Sequence, residues 1–411
     1  MDQQKLAQYA KVIAKVGVNA QPGDGFFITF NADGLPLVRL VAKELYSLGA
    51  KNVVLRFQDN EVTLARFTQG RDEIFDEYPA FEVDYLEAMY QENYHRIAIV
   101  SPDPELMKDV DRDRARRAQT AALDATERLD KYMDSGRLKW VVAACPSPQW
   151  ARIVFPDLSV EEAMEALWEK IFQATYMNAK DPVQVWTDHE KDLKQKEQWL
   201  DAQQFESLHY EGPGTDFTVH LAQDHKWVGG ASVTPDGVSY MANIPTEEIF
   251  TTPHKTKADG TLRATKPLAV QGHIVEDFSF VFQDGKVVGF EAAKNADILE
   301  QMMDMDEGGR YLGEVALVSH SSPISQSGIL FSNTLFDENA SCHFALGNSY
   351  AETLINGERL SQEERTLLGA NHSRIHIDFM VGGPSLNVTG RRADGTLVPI
   401  LEGGEWSSQI R

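Results

Sequence analysis

Cysteine is nearly absent: Cys145 and Cys342, far apart in the chain, are the two in 411 residues. That excludes the disulfide framework of a secreted domain. Long apolar runs are missing as well. None approaches the ~18 residues that a membrane-crossing helix needs, so no span is expected. The start, Met1-Asp2-Gln3-Gln4-Lys5, has no basic stretch leading into an apolar core, so no export signal is expected and the expected location is cytoplasmic. Positive charge is in deficit, 39 Lys and Arg against 62 Asp and Glu, for a net −23. An acidic surface repels nucleic acid and anionic membranes, so neither is expected as a partner. It weakly suits a substrate with a free ammonium end. No repeat or low-complexity segment occurs. The remainder, 42% hydrophobic and 25% charged, is the make-up of an ordinary soluble globular protein. The chain is long enough for two domains, each with its own core.

The first half alternates helix and strand. Residues 26–30, 52–57, 96–100 and 139–145 read as strands, and 37–48 as a helix with Gly49 just past its end. Residues 112–132 read as a long charged helix. Ser159 and Glu162 form a capping box that opens a helix over 160–176. This alternation implies an α/β domain with a mainly parallel sheet. Gly23 and Gly25 precede the first strand, whereas a phosphate-binding loop follows a strand and opens a helix, so the pair reads as a turn. Residues 181–204 read as a charged helical connector closing a first domain over 1–204. From 205 the pattern changes to strands and turns. Residues 275–282 and 286–292 flank Gln283-Asp284-Gly285, a hairpin signal, and 296–305 read as a short helix. The second domain, 205–411, is expected to be α+β.

The chemistry-bearing residues lie in this second half. In Ile375-His376-Ile377-Asp378-Phe379, alternation along a strand sends His376 and Asp378 to one face and the three apolar residues to the other. An imidazole beside a carboxylate is what a strand offers a divalent metal. Glu314 lies inside the apolar run 312–318, where an ionised carboxylate is costly without a compensating cation or donors. His343 follows Ala340-Ser341-Cys342, and Tyr350 comes seven residues later. Glu247 and Glu248 lie in Asn243-Ile244-Pro245-Thr246-Glu247-Glu248. Each has an ordinary reading too. His376 and Asp378 could be the polar face of a half-buried strand. Glu247 and Glu248 could open a helix capped by Thr246. His343 could be a core histidine, and Tyr350 a packing residue.

NIPTEEIFTTP, GEVALV, LFDENASCHFALGNSY and HIDFMVG resemble, in order and spacing, the motifs of the thermophilic-type metalloaminopeptidases, the family of aminopeptidases T and S. The resemblance covers most of the chain and is most specific in its C-terminal half. It implies a dinuclear metal site in the second domain, with two divalent ions held by two glutamates, two histidines, a tyrosine and an aspartate. Carried over by motif, these are Glu248, Glu314, His343, Tyr350, His376 and Asp378. Glu248 is taken over Glu247 because its separation from Glu314 fits the family pattern. The resemblance further implies removal of single N-terminal residues with broad preference, by a homodimer whose paired domains restrict access to the site.

The donor set agrees with this independently. Three carboxylates, two imidazoles and a phenol, with no thiolate, suit zinc, cobalt, manganese or magnesium in a catalytic role. Two such ions, typically ~3.5–4 Å apart, lower the pKa of bound water from ~15.7 towards ~7. The expected reaction is therefore attack by a metal-bound hydroxide on the first peptide carbonyl of a substrate with a free N-terminus. Glu247 is a candidate proton shuttle, with a solvent-facing glutamate as its ordinary reading. Cys342 is not expected to be a nucleophile, since strand neighbours face opposite sides. Two alternatives use the same residues: another dinuclear hydrolase (a dipeptidase or amidohydrolase), and a non-enzymatic ligand-binding protein stabilised by metal.

Overall fold

The computed structural model describes residues 2–270 and 273–410. The chain forms two compact units: Met1–Thr187 with Ala231–Pro245, and Asp188–Gly230 with Thr246–Arg411.

The first unit is built on a five-stranded sheet ordered Asn52–Phe57, Gly25–Phe30, Tyr94–Val100, Trp140–Ala144 and Asn243–Ile244, parallel throughout. Its central strands are buried on both faces, which is why they read as unbroken apolar runs. Phe26, Phe27, Ile28, Ile97, Ile99, Val141 and Ala143 are all inaccessible or nearly so. The helix Leu35–Ser47 ends as its sequence suggests, with Gly49 at φ +95°. The Ser159–Glu162 capping box opens the helix Val160–Ala174. Gly23, at φ +91°, makes the turn into the first strand. The helix expected over 112–132 is broken. Arg112–Thr126 tightens to a 3-10 turn at Glu127–Leu129 before the short helix Asp130–Asp134. At that turn Leu129 enters the cluster of Phe27, Val83, Leu86 and Tyr90, so packing has overridden a propensity that favoured a continuous helix.

The second unit carries two largely antiparallel sheets. The larger has nine strands and contains the hairpin His273–Gln283/Lys286–Lys294. Its turn residues, Asp284 and Gly285, both have positive φ, and a Cβ on Gly285 would meet the Lys255 carbonyl oxygen at 1.9 Å. The smaller sheet has five strands, in the order His376–Met380, His343–Gly347, Leu312–Leu317, Ile249–Thr251 and Val228–Gly229, each antiparallel to the next. The two sheets stack through aromatic rings. Phe344 meets Tyr210 (4.9 Å between centroids) and Phe217 (5.5 Å), and Phe379 meets Phe280 (4.9 Å). Edge-to-face pairs of this kind add roughly 0.5–1.5 kcal/mol each beyond the area they bury.

This stacking commits one face of the five-stranded sheet to the core and leaves the other for chemistry. Phe344, Ile377 and Phe379 occupy the core face; Glu314, His343, His376 and Asp378 share the opposite one. In register, Glu314, Ala345 and Asp378 lie side by side on three adjacent strands, with Gly347 beside His376. The residues between the polar ones on that face, Ala345 and Gly347, are small.

Candidate metal centre

Glu248, Glu314 and His343 bring ligand atoms within 4.8 Å of one another, and so do Glu314, His376 and Asp378. Glu314 belongs to both groups. It is 5% exposed in the middle of a strand whose six residues are all buried, and His343 is 1% exposed. His343 Nε2 lies 3.1 Å from Glu248 Oε2 and 3.3 Å from Glu314 Oε1. His376 Nε2 lies 3.1 Å from Asp378 Oδ1 and 3.8 Å from Glu314 Oε2.

The far sides of both rings are pinned. His343 Nδ1–H donates to the Ser341 carbonyl at 3.1 Å, and His376 Nδ1–H donates to the Asn348 carbonyl at 2.9 Å. A carbonyl only accepts, so Nδ1 carries the proton and Nε2 is aimed at the carboxylates. A backbone carbonyl behind the ring is the usual outer support of a metal-binding histidine.

Tyr350 reaches the group as a ring, 4.7 Å from the His376 imidazole between centroids, with Phe250 at 6.2 Å; 43% of it is exposed. Glu247 and Glu248 do not open a helix. They lead into the strand Ile249–Thr251, and the Asn339 side-chain oxygen accepts from the Glu247 N–H at 2.7 Å. Glu247 is buried rather than solvent-facing, its Oε2 3.7 Å from His189 Nε2.

The electrostatics are those of a cation site. Burial pushes the Glu314 carboxyl up, opposed by His343 and His376. Burial disfavours a charged His376, but Asp378 and Glu314 outweigh it and push the imidazole up to about 9. His343 is driven up the same way, against its burial, by Glu248 and Glu314. Protons on the two rings thus supply positive charge that a divalent ion would supply instead. Asp378 Oδ1 is buried and makes no hydrogen bond, its approach to His376 being an ion-pair contact. An orphaned buried carboxylate oxygen amid mixed O and N donors fits a metal.

A further acid faces the group. Glu338, on the 3-10 turn Glu338–Ala340, is pushed well up by burial and then by the charges of Glu248, Asp378 and Glu314. Asn339 holds it there: its side-chain nitrogen donates to Glu338 Oε1 (3.3 Å) and to the Leu335 carbonyl (3.2 Å), while its oxygen binds the Glu247 N–H. Strand alternation cannot find this residue. The signal available in the sequence was an acid five positions before His343 inside a motif already singled out.

Cys342 is free and buried beside these groups but turned away from them. Its thiol donates to the Val318 carbonyl at 3.3 Å, and burial pushes its pKa up to about 11.

Residues 2–406 match the model of the thermophilic metalloprotease (M29) family. The chain belongs to that family. Among M29 relatives, aminopeptidase AmpS of Bacillus subtilis is 43% identical over 98% of both chains, and aminopeptidase 2 of Geobacillus stearothermophilus is 41% identical over 99% of both. The solved structure of wild-type AmpT from Thermus thermophilus superposes with a TM-score of 0.92 at 36% identity, covering 98% of this chain and 99% of that one. The mixed α/β fold is therefore that of aminopeptidase T. A 2,5-dihydroxypyridine dioxygenase from Pseudomonas putida shares the fold at 13% identity and a TM-score of 0.55.

Proposed function

We propose that this chain, a metal-dependent aminopeptidase by its family, removes single residues from peptides with a free N-terminus. It would use two divalent ions held by Glu248, Glu314, His343, Tyr350, His376 and Asp378. The observation that carries the two-ion reading is Glu314, shared between two groups of candidate ligands. A thiolate-free set of carboxylates and imidazoles suits zinc, cobalt, manganese or magnesium. When bound, such ions polarise a carbonyl and acidify water.

The chain's own residues do the rest. The α-amino group would be held by one of the ions or by an acidic side chain beside them, and either would select the first peptide bond. His343 and His376 are held in one orientation by the carbonyls of Ser341 and Asn348, so the site is preorganised on strands rather than assembled from loops. Glu338 lies outside both ligand groups and is positioned by Asn339. It is the acid we assign to carrying a proton between attacking water and the leaving amine. Cys342 takes no part, because its thiol is spent on Val318. We further propose a homodimer and a cytoplasmic location, a reading supported by the resemblance and the composition. No described helix is long and apolar enough to cross a membrane.

The test is metal content per chain measured beside hydrolysis of a panel of aminoacyl arylamides. Two equivalents are expected, with activity lost on chelation and restored by cobalt, zinc, manganese or magnesium. Full activity in a metal-free preparation would overturn the reading.

A further inference from the structure

A cavity of about 270 Å³ lies in the second unit, and none of the six ligand candidates lines it. Its walls include Thr265 and Lys266, His320 and Ser325, and the Gly382-Gly383 pair beyond the strand His376–Met380. In a chain of net charge −23, no Asp or Glu lines this cavity. Its fixed charge is the Lys266 ammonium.

Lys266 is half-buried and makes no hydrogen bond or ion pair among the described residues; burial lowers its pKa. The opposing charge that acts on it, Asp337, is already engaged, accepting from Phe331 N–H at 2.8 Å and Asn333 N–H at 2.9 Å. An ammonium stripped of part of its water and given no partner is costly unless something else supplies negative charge.

The cavity adds a neutral donor. Ser325 Oγ and His320 Nδ1 are 3.1 Å apart. If the hydroxyl donates, the ring proton stays on Nε2; if Nδ1–H donates, the hydroxyl hydrogen is free. Either way the pair has one donor left over. The Thr265 hydroxyl is spent on the Gly382 carbonyl at 2.7 Å. An ammonium and a spare donor, with no carboxylate in the cavity wall and Asp337 already engaged by backbone N–H groups, match a carboxylate ligand. The volume lies just below the ~300–1,000 Å³ of sites for drug-sized ligands, which suits a single amino-acid residue.

We propose that this cavity binds a small carboxylate, with Lys266 as its counter-charge. On the aminopeptidase reading, on which this part rests, the carboxylate has two possible sources: the C-terminus of a short peptide being trimmed, or the amino acid that trimming releases. Gly382 stands two residues beyond the end of the strand that carries His376 and Asp378, so the cavity lies off the end of that strand.

The first test does not depend on turnover. Lysines of the full-length protein are acylated and read by mass spectrometry with N-acetylleucine or N-acetylleucinamide present; neither has a free amine. Labelling of Lys266 should fall at least fivefold with the acid and not with the amide. Calorimetric titration of N-acetylleucine into wild type and Lys266→Met gives the same decision if Lys266 labels poorly, with affinity expected to fall at least tenfold in the variant. Equal protection by acid and amide, or no difference in affinity between wild type and variant, overturns the proposal and leaves the metal centre untouched.

The second test separates the sources. If the peptide's own end binds, the ratio of kcat/KM for a tripeptide over its C-terminal amide should fall about tenfold in Lys266→Met. If the released amino acid binds, that ratio stays and inhibition by free leucine weakens instead.

Discussion

Replacing Glu314 by Gln removes one unit of charge and almost no volume from the point where the two ligand groups meet. Glu314 Oε1 lies 3.3 Å from His343 Nε2, and its Oε2 lies 3.8 Å from His376 Nε2. At an effective dielectric constant of ~20, a unit charge at those distances is worth about 5 and about 4 kcal/mol towards a single positive charge. A divalent ion held by the same atoms is attracted no less. Losing even one of these terms amounts to at least a thousandfold in cation affinity, since ~1.4 kcal/mol is a factor of ten. The fold should survive, because burying a neutral amide costs less than burying a carboxylate. The assay is metal per chain after dialysis beside initial rates on leucyl arylamide at fixed metal supply. We expect fewer than two equivalents, a rate at least a thousandfold lower, and an unchanged circular dichroism spectrum. Two bound ions and a near wild-type rate would make Glu314 a structural carboxylate and refute the shared-ligand reading.

Glu338→Gln should keep both ions yet lower kcat at least a hundredfold, the usual size of a positioned proton carrier; an unaltered rate would assign the proton elsewhere. Cys342→Ser should change kcat/KM by less than about twofold, and substrate-protected inactivation of wild type by a thiol-alkylating reagent, absent in the variant, would reverse that assignment. N-Acetylation of a leucyl peptide should slow cleavage at least a hundredfold, about 2.7 kcal/mol, because it removes the amine's charge and lone pair; similar rates for both peptides would indicate an endopeptidase or a general amidohydrolase. For stability, burial would raise the Asp24 carboxyl, but His95 and Lys139 outweigh it and hold it at about 2. A depressed carboxylate stabilises above its unfolded pKa of ~3.9 and loses that contribution as pH falls towards 2. Asp24 is about a fifth exposed, so we expect Asp24→Asn to cost about 1–2 kcal/mol of pH-dependent stability at pH 7, with this part vanishing near pH 2 in denaturant titrations.

The elements that were legible in the sequence are those whose cause is local. The parallel sheet shows as apolar runs because its central strands are buried on both faces. The Ser159–Glu162 box and Gly49 mark helix ends by their own hydrogen bonding and backbone geometry. His376 and Asp378 show because a strand has a period of two, and Glu314 because a carboxylate inside an apolar run needs a reason. The illegible parts were set by partners distant in sequence. The lead into Ile249–Thr251 mimics a capped helix start, and strand pairing with Leu312–Leu317 decides otherwise. Glu338 reaches the site through the bond from Asn339 to the Glu247 backbone, ninety-two residues away. The cavity around Lys266 is assembled from four separate stretches, none of them distinctive alone.

The strand Asn243–Ile244 completes the first unit's sheet by pairing with Trp140–Ala144, and this has a consequence for synthesis on the ribosome. The strand it must cover ends one hundred residues earlier (144 to 244). At ~5–20 residues per second the edge of Trp140–Ala144 waits about 5–20 s for its neighbour. An apolar strand edge left open that long invites pairing with another chain. The chain released at residue 187 would have that edge open permanently. Such a fragment, though it contains four of the five strands, should aggregate more readily than a chain that includes Asn243–Ile244.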